Sequence, residues 1–417
     1  MIKKIELLAP AGSLEKMRYA FAYGADAVYM GIPDFSLRVR INKFTLDDVR
    51  QAIEEAHKLK KKIYVTVNIY AHNQHLEKLP IYLKKLNDWK PDGLLVSDPG
   101  ILQMVKKYAP NLIIHLSTQA NATNWQAVKF WYEQGVKRVV LGREVTLEEI
   151  KEIHKRVPKV ELEYFAHGAM CMSYSGRCML SAWLSGRSAN LGDCSQPCRW
   201  KYNINNINVE IEDQNHLGIK IPVEEDKNGT YIFNSKDICM IEYLNELIEA
   251  GVISFKIEGR AKSVAYLSTI VKTYRLGLDI VKSKISLVEK KKKLKQLKKK
   301  YLDNLMTRGY TTGFLFGRET VEQNTEFSHL LSEEKFVGEV VNYENEKVCI
   351  IPHNALRVGD KVRIIQPKNE ELILTIKKLY NYKNQKAVSS VHGGVGETYY
   401  FLSKKPIAKY SILFKYN

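Results

Sequence analysis

One pattern of apolar and polar positions repeats through about the first 260 residues. A short run rich in β-branched residues ends in a polar or glycine-bearing corner, and an amphipathic stretch follows. The strand-like runs are "IELLAPAG", "DAVYMG", "IYVTVN", "DGLLVSD", "LIIHLSTQ", "RVVLGRE", "VELEYFAHG" and, much later, "ISFKIEGR". Helical segments such as "TLDDVRQAIEEAHKLK", "NWQAVKFWYEQG" and "TLEEIKEIHKRV" lie between them. Several open on a Ser, Thr or Asn cap and close on Gly or Pro. Strands alternating with helices predict a parallel sheet, and eight such units predict an α/β fold of the closed (β/α)8, TIM-like kind. The rival is an open doubly wound sheet. No G-x-G-x-x-G follows the first strand, which counts against a dinucleotide-binding version of it.

The last two units stand far apart. From about residue 168 to 235 runs an insertion whose first part holds cysteines and whose second part alternates like β-hairpins. An insertion of that length in a compact domain is usually functional. Barrel, insertion and a basic helix at about 282–303 make one predicted domain over 1–330. Residues 331–417 read as short alternating strands with Gly, Asn and Pro turns, which predicts a small C-terminal all-β barrel of the kind common in RNA-binding proteins.

In barrels of this kind the active site lies at the C-terminal ends of the strands. Those ends carry Asn68, Ser117 and Gln119, Arg143, His167, and Glu258 with Arg260. Any one of them has an ordinary alternative as a cap or loop residue. Together they converge on one rim and predict a polar pocket.

Charge and cysteine usage sharpen the picture. The chain of 417 residues has 64 Lys and Arg against 46 Asp and Glu, a formal net charge of +18. Such a field attracts polyanions, nucleic acid above all. The run "KKKKLKQLKKK" at 290–300 concentrates the excess; it reads as a solvated helix face or as a phosphate-contacting one. No run has the length of a membrane span, and the first residues lack a secretory h-region, so a cytoplasmic protein is expected. Four of the six cysteines, Cys171, Cys178, Cys194 and Cys198, fall in the insertion, and Cys239 follows it. In a reducing compartment clustered cysteines point to metal or redox work rather than disulfides. A structural zinc prefers two tight Cys knuckles, and only Cys194 and Cys198 have that spacing. An iron–sulfur cluster takes four thiolates at varied spacing. Spacing favours the cluster and leaves zinc open.

The run Glu163-Tyr-Phe165, Gly168-Ala169-Met170-Cys171, Gly176, Cys178 and Ser181 resembles the signature of the collagenase-like peptidase family U-thirty-two at every specified position. "LLAPAGSLEKM", "FSLRVR", "LSTQAN", "NSKDICMI" and "FKIEGRAKS" resemble further blocks of that family in order. The resemblance covers roughly residues 5–275 and looks closest to the branch engaged in prephenate-dependent tRNA uridine 5-hydroxylation. It implies a [4Fe–4S] cluster on Cys171, Cys178, Cys194 and Cys239, with Cys198 a near neighbour, and tRNA and prephenate as partners. It also implies a paralogous partner subunit or a homo-oligomer.

Within that reading Arg38, Arg143, Arg177 and Arg260 are the arginines suited to clamp the carboxylates of prephenate. His167 would shuttle a proton, and Glu258 would orient Arg260 or accept one. Asn68, Ser117 and Gln119 would read the edge of an unstacked base. Two alternatives accompany it. One is a peptidase: G-x-S-x-G, H-E-x-x-H and the D-T/S-G frames are absent, which leaves a Cys171–His167 thiol pair or a carboxylate dyad outside those frames. The other is a non-catalytic RNA-binding or iron–sulfur scaffold.

Overall fold

Strands buried on both faces need apolar residues at nearly every position, and the eight predicted runs supply them. The computed structural model describes residues 5–36, 44–171, 173–175, 177–185, 187–191, 193–199, 209–212, 220–223, 225–226, 229–230, 235–305, 307–317, 334–394 and 396–416. The runs form β1 (Glu6–Pro10), β2 (Ala27–Gly31), β3 (Lys62–Val67), β4 (Gly93–Val96), β5 (Ile114–Leu116), β6 (Val136–Val140), β7 (Glu161–Gly168) and β8 (Val252–Ile257). Neighbours pair in parallel in sequence order, and β8 pairs with both β1 and β7, so the barrel closes. The predicted (β/α)8 fold is the observed one.

Local sequence sets the helix starts. Thr45 and Asp48 form a capping box on α1 (Leu46–Lys58), and Thr146 and Glu149 do the same for α3 (Leu147–Arg156). Asp98 caps α2 (Pro99–Tyr108), whose first residue is a proline that has no N–H to leave unsatisfied.

The chain folds into two compact units: residues 1–17, 26–261 and 307–330, and residues 18–25, 262–306 and 331–417. The first is the barrel. Its interior holds an apolar layer of Leu8, Ala27, Tyr29, Tyr64, Leu95, Val140 and Phe165. Toward the N-terminal ends of the strands lies a layer of buried charge. Arg138 is bonded to Glu6 at 2.5 Å, Glu161 at 2.8 Å and Glu163 at 3.3 Å. Burial alone would raise the Glu6 pKa, but the Arg138 charge and hydrogen bond, with help from Tyr64 and Lys62, bring it below the usual carboxylate value.

The second unit carries an antiparallel sheet of eight strands, with Glu334–Glu344 between Ile412–Tyr416 and Lys347–Pro352 near its centre. The all-β character expected of this region is therefore present. Leu372 and Leu374 from one edge and Val388 from the other pack on a single core of Val337, Val340, Ile350, Ile364 and Leu413. The sheet thus curls around that core, and among the described residues no strand pair closes it into a ring.

Helices α4 (Val264–Lys282) and α5 (Leu287–Tyr301) cluster with these strands, although the sequence placed them with the barrel. The cause is specific. Lys272 Nζ, largely buried, donates to the carbonyls of Gln366 at 2.5 Å and Asn369 at 3.0 Å. Lys300 pairs with Glu371 at 3.3 Å, and Arg363 holds both Glu371 and Glu334.

Candidate functional site

The polar corners after the barrel strands are built from one another. Asn68, following β3, donates from Nδ2 to Ser117 Oγ at 3.0 Å, and Ser97 Oγ donates to the Asn68 carbonyl at 3.1 Å. Ser117 starts a one-turn helix, Thr118–Ala120, and Tyr70 OH donates to the Gln119 carbonyl at 2.6 Å. Across the rim, Gly31 leaves room for an arginine. A Cβ there would lie 2.8 Å from Arg260 Nη1 and 2.0 Å from Ser36 Oγ. Gly168 ends β7 at φ +111°, and a Cβ on it would meet the Glu258 carbonyl oxygen at 2.6 Å. A glycine here is a packing requirement, which explains its place in the signature.

The insertion is tied to the rim through Glu144. Its carboxylate accepts from Ser175 N at 3.2 Å, from Ser175 Oγ at 3.1 Å and from Asn121 Nδ2. The Arg143 amide in turn donates to Ser175 Oγ at 3.4 Å. Further along, Gln196 in left-handed conformation turns its amide back onto Cys194 Sγ at 3.4 Å, a donor that suits a thiolate.

These elements enclose a cavity of about 290 Å³ at the C-terminal ends of the strands. Asn68, Ser117, Gln119, Arg143, Arg177, Glu258 and Arg260 all line it. So do Cys171, Cys178 and Cys194, together with Cys198. Arg143 stacks its guanidinium 3.7 Å above the Phe165 ring. Arg143 Nε and Gln119 Oε1 are buried with no hydrogen-bond partner among the described residues. Each is a cavity-lining polar atom whose partner, water or ligand, would come from the cavity.

The structure treats two predicted residues differently. His167 and Cys239 face each other in the antiparallel pair formed by β7 and the short strand Asp237–Cys239. Both are buried, and neither lines the cavity. The His167 ring packs 5.4 Å from that of Tyr310. Cys239 thus sits in the wall where the insertion leaves β7. Arg38 falls outside the described residues.

Among the described residues no three His, Cys, Asp or Glu side chains converge closely enough to hold one metal ion. Cys171, Cys178, Cys194 and Cys198 line the same cavity, and a four-iron cluster takes one thiolate per iron.

Lys256 is the site residue that the sequence reading passed over. It lines the cavity while 4% exposed, donates to Glu163 Oε1 at 2.8 Å, and lies 4.5 Å from the Tyr29 ring centroid. Burial lowers its pKa, and Glu163 offsets part of that. A lysine inside the apolar run "ISFKI", at the same strand parity as Glu258, was the available signal. Tyr174 and Met179 also line the mouth and are 58% and 71% exposed.

The barrel thus presents a cysteine-bearing insertion and a cationic cavity on one rim. The chain belongs to Peptidase family U32: that family's model matches residues 12–325, and the model of its C-terminal domain matches residues 332–413. Among its curated relatives is "tRNA hydroxylation protein P" of Escherichia coli (strain K12), 41% identical over 92% of this chain and 90% of that protein. The Haemophilus influenzae protein of the same name is 40% identical over 94% and 92%. The Escherichia coli "23S rRNA 5-hydroxycytidine C2501 synthase" is 37% identical over 67% of this chain and 40% of its own length.

Proposed function

We propose that this chain is an RNA-modifying enzyme that hydroxylates carbon 5 of wobble uridine in tRNA, with an iron–sulfur cluster and prephenate as cosubstrate. The observation that carries the reading is the composition of the cavity. Among the described residues, thiols and the three arginines Arg143, Arg177 and Arg260 share one chamber with Lys256, and Glu258 is the one carboxylate that lines it. An excess of cations in a shielded site selects an anionic ligand, and a dicarboxylate engages two of them. The names of the relatives supply the reaction class: tRNA hydroxylation in two, rRNA hydroxycytidine synthesis in a third.

Cys171, Cys178, Cys194 and Cys239 would hold the cluster, which supplies the one-electron chemistry that side chains lack. Arg143 and Arg260 bind carboxylate oxygens. Gln119 Oε1 accepts from the N3–H of the uracil edge. Tyr174 offers a ring face at the mouth on which an unstacked base rests. A wobble base lies in a single-stranded loop, so drawing it into the chamber costs only a few kcal/mol. The reading entails a cytoplasmic protein.

The test is nucleoside mass spectrometry of tRNA from a deletion strain, beside iron and sulfide analysis of anaerobically purified protein. Loss of 5-hydroxyuridine derivatives, restored when the gene is returned, is the expected result. Unchanged tRNA would overturn the target. Colourless protein holding stoichiometric zinc would overturn the cofactor.

A further inference from the structure

A chain of buried polar groups runs from the cavity to the other end of the barrel. Lys256 Nζ carries three donors, of which one goes to Glu163 Oε1. Among the described residues no other acceptor takes the rest, and Lys256 lines the cavity. The other oxygen of Glu163 lies 3.1 Å from Ser254 Oγ, and Ser254 Oγ lies 3.0 Å from Glu6 Oε1. A hydroxyl has one proton, so Ser254 donates to only one of these two carboxylates at a time. The second contact becomes a hydrogen bond when one carboxyl is protonated. Glu6 in turn lines a separate cavity of about 360 Å³ at the N-terminal ends of the strands, beside Asp26 and Lys62.

The geometry points to Lys256 as the proton-exchanging residue of the cavity, with Glu163 as its partner and Ser254 and Glu6 as the path to the opposite end of the barrel. This rests on the hydroxylation reading and extends it. In the delivering direction the Lys256 N–H bond breaks as a ligand atom takes the proton, leaving a neutral amine. Glu6, a carboxylate at rest, takes up a proton from the far cavity. Ser254 accepts that proton from Glu6 while passing its own to Glu163 Oε2. The Glu163 carboxyl then turns and gives its proton to the neutral amine, which restores the carboxylate and the ammonium. Each transfer breaks one N–H or O–H bond and forms another, and no oxidant is consumed. Reversed, the same path drains a proton.

The groups facing Lys256 suit exchange. Glu163 comes from β7, Arg138 from β6, Arg143 from the corner after β6, and Tyr29 from β2. Burial and the two arginines favour the neutral amine, and Glu163 favours the ammonium. The two forms are drawn together in energy, as exchange requires.

Lys256→Arg separates this role from simple charge, because a guanidinium keeps the cation and does not release its proton. Glu163→Gln is a second, nearly isosteric variant that keeps an acceptor and cannot carry a proton. Each is measured for prephenate affinity by calorimetry and for 5-hydroxyuridine in tRNA of a complemented deletion strain. The inference predicts wild-type affinity with 5-hydroxyuridine formation reduced by about a hundredfold. Ser254→Ala, which interrupts the path and leaves Lys256 in place, lowers formation by a smaller factor at unchanged affinity. Wild-type modification in Lys256→Arg or Glu163→Gln overturns the inference, and so does a loss explained by weakened prephenate binding. Failure of the hydroxylation reading is distinguishable, because it appears as absent modification or absent prephenate binding in the wild-type chain.

Discussion

Arg143 is tied to the site by geometry rather than by charge alone. Its guanidinium lies on the Phe165 face, and its buried Nε lacks a partner among the described residues. A ligand carboxylate therefore gains a charge-assisted bond at an already desolvated donor, the strong case for such bonds. Arg143→Gln should weaken prephenate binding by about 2 kcal/mol, some thirtyfold, in calorimetry. Unchanged affinity would remove Arg143 from the clamp. His115 makes the opposite use of burial. It is enclosed in the barrel beside the Tyr64 ring at 4.7 Å, and its pKa is held well below the ordinary histidine value by desolvation, then by Arg138, Lys256 and Lys62. The folded chain keeps this ring neutral, whereas the unfolded chain protonates it below about pH 6.5. Stability is thus unaffected by His115 above that pH and falls as pH drops below it, by up to about 1.4 kcal/mol per unit. Denaturant titrations of wild type and His115→Gln should diverge in slope between about pH 6.5 and 5. Parallel profiles would contradict the assignment. The two residues were not equally legible in sequence. Arg143 stands at a strand end, where function is expected. His115, like Lys256, sits within a strand buried on both faces, where an apolar run conceals which positions point inward.

At the scale of elements, all eight barrel strands were readable, because each is a short, largely apolar run that ends in a polar or glycine-bearing corner and alternates with an amphipathic stretch. The insertion was readable as a break in that rhythm. Its attachment was not, since it depends on Glu144 reaching Ser175 and Asn121, bonds that no periodicity records. This clamp makes a prediction. Glu144→Ala should lower the iron content of the purified protein and leave barrel stability within about 1–2 kcal/mol, because only rim hydrogen bonds are lost. Full iron content would mean that the insertion holds its shape without the clamp. The grouping of α4 and α5 was likewise hidden. Helix α4 has a polar stripe, Ser268, Lys272, Arg275, Asp279 and Lys282, but its first two members are buried, and the partners of Lys272 lie more than ninety residues on, where no periodicity records them.

For the whole molecule, the net charge of +18 is the feature with the longest reach. On α5, Lys292, Lys295 and Lys299 share one face, are exposed, and form no ion pair among the described residues. If they contact tRNA phosphates, changing all three to Gln should weaken binding and reduce the slope of log affinity against log salt by roughly two to three. An unchanged slope would assign the helix to solvation alone. No described helix is long and apolar enough to cross a membrane. Residues 12–325 and 332–413 each match their own family model, and the break between them was visible in sequence as a change from helical to alternating periodicity. The central claim joins these scales: thiols on the insertion and cations on the rim serve one reaction on RNA. Its most direct test compares 5-hydroxyuridine in tRNA from a deletion strain carrying either the wild-type gene or Cys178→Ala. Restoration by the wild type and none by the variant is the predicted result, and equal restoration by both would contradict the account.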